Sequence, residues 1–167
     1  MRIFLIGFMG SGKSTFGKEL AEQAGLAFAD LDDIIETEQR QSIREIFDHG
    51  GEERFRVAEH EALLRTIHHT DELVLALGGG TPCFFGHMEL LNKTGTTVYL
   101  KYPPEVLFGY LQNEPDKRPL LSGMSPDELL KYIQDKLRER EPFYMQAQKI
   151  LEWPDISVPS LLKALNF

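Results

Sequence analysis

The sequence predicts an α/β fold in three layers, a doubly wound parallel sheet of five strands with helices on both faces. Three observations lead there: short apolar runs recur along the chain, longer helical patterns separate them, and the first run ends in a glycine-rich turn that opens a helix. Strands buried on both faces read as unbroken apolar runs, and joining parallel strands takes a helical crossover, so this alternation marks βαβ units. At 167 residues, 42% hydrophobic and 26% charged, the chain is long enough to bury roughly two-thirds of its unfolded surface. One domain spanning residues 1–167 is expected, since no repeat, low-complexity stretch or long linker divides it.

In chain order, the first strand is the apolar run at 3–6. After the turn, Phe16, Leu20 and Ala21 give the first helix its apolar side. A second strand at 27–29 leads into Asp30-Leu31-Asp32-Asp33, where Asp33 also suits an acidic first helical turn. Ser42-Ile43-Arg44-Glu45 is a capping box, Gly50-Gly51 stops that helix, and another runs over about 52–68. The run at 73–77 is a third strand and ends in Gly78-Gly79-Gly80. A fourth lies at 97–100. Residues 113–123 hold Pro115, Pro119, several charges and Gly123, and read as a loop between helices. Ser125-Pro126-Asp127-Glu128 then starts a helix with proline at its first position. A weaker fifth strand covers 150–152. Trp153 and the aromatics are assigned to the core, with Phe55 at a pocket wall. All five histidines, His49, His60, His68, His69 and His87, are assigned structural or exposed places, having no acid or cysteine partner at metal spacing.

Composition excludes several classes. A net charge of −8 repels the nucleic-acid backbone and anionic membrane surfaces, so neither is an expected partner. The single cysteine, Cys83, cannot form an intramolecular disulfide and fits a reducing compartment. The opening apolar run is too short for a signal peptide or a membrane span, so a cytoplasmic location is expected. No exposed apolar stripe is evident, and the expected state is a monomer.

The chemistry concentrates at strand ends. Gly7-Phe8-Met9-Gly10-Ser11-Gly12-Lys13-Ser14 matches the phosphate-binding loop pattern in full, with Thr15 next. Its glycines let backbone N–H groups wrap phosphate oxygens, the helix start offers unpaired donors, Lys13 adds a point charge, and Ser14 offers a hydroxyl to magnesium. The pattern alone specifies ATP or GTP binding and no reaction. No acid follows the strand at 73–77, so the metal carboxylate must come from another strand end. Asp30 and Asp32, two apart in extended chain, point the same way at the carboxyl edge of the sheet. Asp30 is assigned to the metal shell, through water, and Asp32 to an acceptor hydroxyl. Three successive glycines after a buried strand are costly in backbone entropy, and close approach of backbone N–H groups to a ligand accounts for them. Arg56, with Glu59 three residues on, and Arg140, two before Pro142, are each by themselves surface arginines by default. Together with Gly79 they would form a carboxylate-binding set.

Seven segments in this order resemble the shikimate kinase family, small phosphate-loop enzymes that phosphorylate a ring hydroxyl of shikimate. They are Gly-Phe-Met-Gly-Ser-Gly-Lys-Ser-Thr (7–15), Asp-Leu-Asp-Asp-Ile-Ile-Glu (30–36), Ser-Ile-Arg-Glu-Ile-Phe (42–47), Gly-Glu-Glu-Arg-Phe-Arg (51–56), Gly-Gly-Gly (78–80), Arg-Pro-Leu-Leu (118–121) and Arg-Glu-Pro-Phe-Tyr (140–144). The resemblance implies a phosphate-loop kinase fold with a helical substrate-binding segment at about 37–62 and a lid at about 113–123. It implies transfer of the γ-phosphoryl of ATP to the 3-hydroxyl of shikimate, with Mg2+, in the route to chorismate and the aromatic amino acids. Gly10, Ser11, Gly12, Lys13, Ser14 and Thr15 would surround the phosphates, with Arg118 on the lid over ATP. Ser14 and Asp30 would hold the metal. Asp32, Arg56, Gly78, Gly79, Gly80 and Arg140 would bind shikimate, and Lys13, Asp32 and Arg118 would carry the catalysis. Two features depart from the family: Leu111 stands where some members carry an adenine-stacking arginine, and Cys83-Phe84-Phe85-Gly86 is unusually apolar. A kinase for another polyol or a nucleoside monophosphate, and a nucleotide-binding module without turnover, remain as alternatives at this level.

Overall fold

The computed structural model describes residues 1–114 and 121–167. Arg118 and the middle of the segment 113–123 lie outside the described residues.

Five parallel strands form one sheet: β1 (Arg2–Ile6), β2 (Ala27–Asp30), β3 (Leu73–Ala76), β4 (Thr96–Lys101) and β5 (Lys149–Glu152), in the order β2-β3-β1-β4-β5. Helices α1 (Lys13–Ala24), α2 (Leu31–Gln39), α3 (Ile43–His69), α4 (His87–Thr94), α5 (Pro104–Gln112), α6 (Pro126–Tyr144) and α7 (Val158–Leu165) connect or flank them. All five expected strands are present, and burial explains their unequal clarity in the sequence. Ile3, Phe4, Leu5 and Ile6 of central β1 are fully buried, as are Val74 and Leu75 of β3. Edge strands β2 and β5 are only half covered, so their apolar runs are shorter and interrupted.

The helix signals also form as read. Ser42 and Glu45 close a capping box on α3, and Ser125 and Glu128 do so on α6. Gly51, at φ 68° and ψ −171°, kinks α3 where the paired glycines stand. The assignment of the aromatics to the core fails in part, since Phe85, Tyr110, Phe143, Trp153 and Phe167 are exposed. Trp153 is 45% exposed, because it follows an edge strand and enters a turn at Pro154 beyond the covered part of the sheet.

Strand order brings the candidate residues together. The order β2-β3-β1 sets three strand ends side by side, and the register pairs Asp30 with Ala76 and Ala76 with Leu5. The acidic cluster after β2, the glycine run after β3 and the loop after β1 therefore share one carboxyl edge. No helix among the described residues is long and apolar enough to cross a membrane.

Candidate active site

A cleft of about 650 Å³ opens at that edge, lined by Gly10, Gly12, Lys13, Ser14, Thr15, Asp30, Asp32, Gly78 and Gly79, and on the far side by Tyr110, Leu111, Asn113 and Glu114. The loop after β1 takes its shape from glycine: Gly10 and Gly12 both stand at φ 79°, a region that strains residues with a Cβ. Gly12 begins α1 with no side-chain cap, whereas Ser42 and Ser125 cap α3 and α6. The first N–H groups of α1 thus lack a capping side chain, at the positive end of the helix dipole, where a phosphate would take that place. Ser11, buried, donates its hydroxyl to Phe8 O at 2.7 Å, and Lys13 Nζ donates to Gly7 O and Phe8 O, each at 2.9 Å. These three bonds hold the loop curled at the start of α1.

Across the cleft, the Ser14 hydroxyl donates to the Asp30 carboxylate. The other Asp30 oxygen accepts from Asp32 N at 3.0 Å, which caps α2. One aspartate thus starts a helix and faces the loop serine. A hydroxyl and a carboxylate, both hard oxygen donors, fit magnesium, which takes one or two protein ligands and completes its shell with water and phosphate oxygens.

Asp32 is placed differently. Burial, with Asp30 and Glu59 nearby, pushes its carboxyl up to about 6, although Lys13 opposes the shift. A carboxylate so perturbed in a cleft is suited to accept or orient a proton near neutral pH.

The glycine run explains how the distant residues meet. A Cβ on Gly78 would stand 3.3 Å from Asp32 Oδ1 and 3.1 Å from Thr81 Oγ1; one on Gly79, 3.0 Å from Arg140 Nη1; one on Gly80, 2.2 Å from Arg56 Nη2. Three consecutive residues therefore each face a different candidate side chain. None of the three has a positive φ. Their lack of side chains makes room for the arginines and Asp32, a reason the sequence did not disclose. Gly78 and Gly79 line the cleft, whereas Gly80 is buried under Arg56.

Neither arginine is a solvated surface residue. Arg56 is 8% exposed, and its Nη1 donates at 2.8 Å to Glu59, which is fully buried. The second oxygen of Glu59 accepts from Thr81 Oγ1 at 2.6 Å. The guanidinium also lies over Phe84, with Cζ 4.2 Å from the ring centroid, and Phe55, at 5.0 Å. Phe55 therefore backs Arg56 and does not line the cleft, where it was expected. Arg140 and the Tyr144 hydroxyl both stand against Gly79, and Arg140 Cζ lies 5.8 Å from the Phe8 ring centroid. Neither arginine lines the cleft itself; Arg140 stands against Gly79 of its lining, and Arg56 lies behind it against the buried Gly80.

Sequence reasoning missed three supporting residues. Thr81 directly follows the glycine run, and Tyr144 lies one helical turn after Arg140, so both had a positional signal. Phe84 belongs to the apolar segment already noted and had none. His87 is buried, with Nδ1 2.7 Å from Thr81 O and Nε2 2.8 Å from His60 Nδ1, and supports the turn that carries Thr81. That is a structural place, as expected. The Cys83 thiol is pushed up to about 11 by burial, which keeps it unreactive. Leu111 is buried against Gly10, so it packs on the loop.

Residues 9–161 match the family model described as shikimate kinase. A shikimate kinase of Azobacteroides pseudotrichonymphae is 47% identical over 146 residues, 87% of this chain and 86% of the relative. The crystal structure of a shikimate kinase from Bacteroides thetaiotaomicron superposes with a TM-score of 0.94 at 39% identity, covering 100% of this chain and 99% of that one. A shikimate kinase from Acinetobacter baumannii in complex with shikimate gives 0.84 at 33% identity, covering 99% and 90%.

Proposed function

The chain belongs to the shikimate kinase family, and from that premise we propose that it transfers the γ-phosphoryl of ATP to the 3-hydroxyl of shikimate. One observation carries the reading: a phosphate loop, an acidic strand end and two arginines meet around three glycines whose missing side chains admit them. A nucleotide switch needs the loop alone. Arg56 and Arg140 answer to a planar carboxylate, and Asp32 to a neighbouring hydroxyl.

In this mechanism the loop N–H groups and Lys13 hold the β- and γ-phosphates while the acceptor hydroxyl approaches in line. Ser14, and Asp30 through water, would hold magnesium, which would supply charge neutralisation on the phosphates. The transition state is loose, so Asp32 chiefly orients the hydroxyl and takes its proton late. Gly10, Ser11, Gly12 and Thr15 complete the phosphate cradle, and Gly78, Gly79 and Gly80 the acceptor wall. Residues 37–62 form the acceptor-binding segment, and 113–123 a lid that excludes water during transfer. Arg118 adds charge stabilisation from that lid, a role supported by the family resemblance. One cytoplasmic, monomeric domain suffices, since every assigned group comes from a single copy.

The test is coupled ADP release with MgATP, with and without shikimate, on the wild-type chain and on Arg56→Ala. Strong stimulation by shikimate, lost in Arg56→Ala, is the expected result. ADP release indifferent to shikimate would leave the phosphate site and refute the acceptor.

A further inference from the structure

Building on that acceptor-site reading, we infer that Tyr144 is a positioning residue, whose hydroxyl holds Arg140 against the glycine run. α6 places Tyr144 four residues after Arg140, on the same face. Its side chain is fully buried. The hydroxyl donates to Gly79 O at 2.5 Å and stands beside the Arg140 guanidinium: a Cβ on Gly79 would lie 3.5 Å from this oxygen and 3.0 Å from Arg140 Nη1. A phenol one helical turn from Arg140 is thereby tied to a carbonyl beyond β3, 65 residues away in sequence. The glycine run has no side chains with which to fix the arginine. The Phe8 ring, 5.8 Å from Cζ, lies near the outer limit of a cation–π contact. The hydroxyl is the stronger restraint, and it sets where Arg140 stands relative to Asp32, which flanks the same run at Gly78.

Tyr99 provides an internal control. Its ring lies 5.0 Å from that of Tyr144, centroid to centroid, and is equally buried. Its hydroxyl has no hydrogen-bond partner among the described residues. Two adjacent buried phenols thus differ in one respect, that only one oxygen touches the acceptor site. Removing the Tyr144 hydroxyl strands the Gly79 carbonyl and frees the space beside Arg140, while removing that of Tyr99 strands nothing.

The test compares steady-state kinetics of Tyr144→Phe and Tyr99→Phe, with shikimate varied under saturating MgATP. Tyr144→Phe should raise the KM for shikimate about fivefold, the worth of one hydrogen bond, and leave kcat and the KM for ATP within about twofold. Tyr99→Phe should match the wild type. In an Arg140→Ala background, Tyr144→Phe should add nothing further, because the hydroxyl acts through the arginine. A wild-type KM for shikimate in Tyr144→Phe, an equal rise in Tyr99→Phe, or full additivity with Arg140→Ala would overturn the inference. Should Tyr144→Phe fail to fold, Gly79→Ala decides: its Cβ presses on Arg140 Nη1 with the hydroxyl intact, so a selective rise in KM supports the assignment and an unchanged KM overturns it. Absence of shikimate-dependent ADP release from the wild type would instead refute the function on which the inference rests.

Discussion

The two halves of the cleft are built on opposite plans. The phosphate half comes from one contiguous segment, residues 7–15, and works mainly through backbone: positive-φ glycines, a helix start without a side-chain cap, and carbonyls that seat Lys13. The acceptor half is gathered from β2, α3, the glycine run and α6. It works through side chains that other side chains hold, Arg56 by Glu59 and Phe84, and Arg140 by Tyr144. A backbone site needs few particular side chains, and each it needs touches the ligand. A side-chain site also depends on residues that never touch the ligand.

Lys13 sharpens the contrast most. It is the one cationic side chain of the phosphate half among the described residues that line the cleft, so Lys13→Ala should lower kcat by about 10²–10³-fold, the usual loss for one charge-stabilising donor. Shikimate affinity, measured by titration calorimetry without nucleotide, should change less than about twofold. A comparable loss of shikimate affinity would merge the two halves and break the comparison.

The same division explains how much was legible in the sequence. A backbone site has to be contiguous, so its loop could be read in full, as could the strand before it and the helix after it. The central strands were equally plain, because covering both faces requires an unbroken apolar run. The acceptor half left only scattered marks. Arg56 and Arg140 looked like any surface arginine, and nothing local discloses that Glu59 is buried or that Gly80 is empty to admit a guanidinium. They could be joined beforehand only as a conditional carboxylate-binding set with Gly79, to which the family resemblance gave weight. The glycine run was noticed but explained by ligand approach, because side-chain clearance is a tertiary property.

A second prediction concerns the acceptor half and its proton. Asp32 must be ionised to accept from the hydroxyl, and burial raises its carboxyl from 3.8 to about 6. The value of kcat/KM for shikimate should therefore fall about tenfold per pH unit below about 6, and Asp32→Asn should lose that limb with most of its activity. The sign for stability is opposite. A carboxyl whose folded-state value is raised stabilises the fold below about 4, and that contribution is lost as pH rises through 6. Asp32→Asn should therefore raise Tm at pH 7 while leaving it little changed at pH 4, as thermal scans at both values would show. A lowered Tm at pH 7 would mean that the buried charge is compensated more fully than its neighbours suggest.

The smallest expected effect tests whether supporting residues matter where no ligand contact is invoked. Phe84 comes from the apolar segment Cys83-Phe84-Phe85-Gly86, whose composition acquires a reason in the fold: its ring lies on the Arg56 guanidinium at 4.2 Å. Glu59 fixes that guanidinium at one edge, and the ring restrains it from one face, so both are needed to define its plane. A partly desolvated cation–π contact is worth about 1 kcal/mol. Phe84→Leu keeps apolar bulk but removes the π face, and should raise the KM for shikimate about fivefold with kcat and the KM for ATP unchanged. Phe84→Tyr, which restores the face, should recover most of the loss. If Leu and Tyr behave alike, Phe84 is only filler, and the support of the acceptor half rests on hydrogen bonds alone.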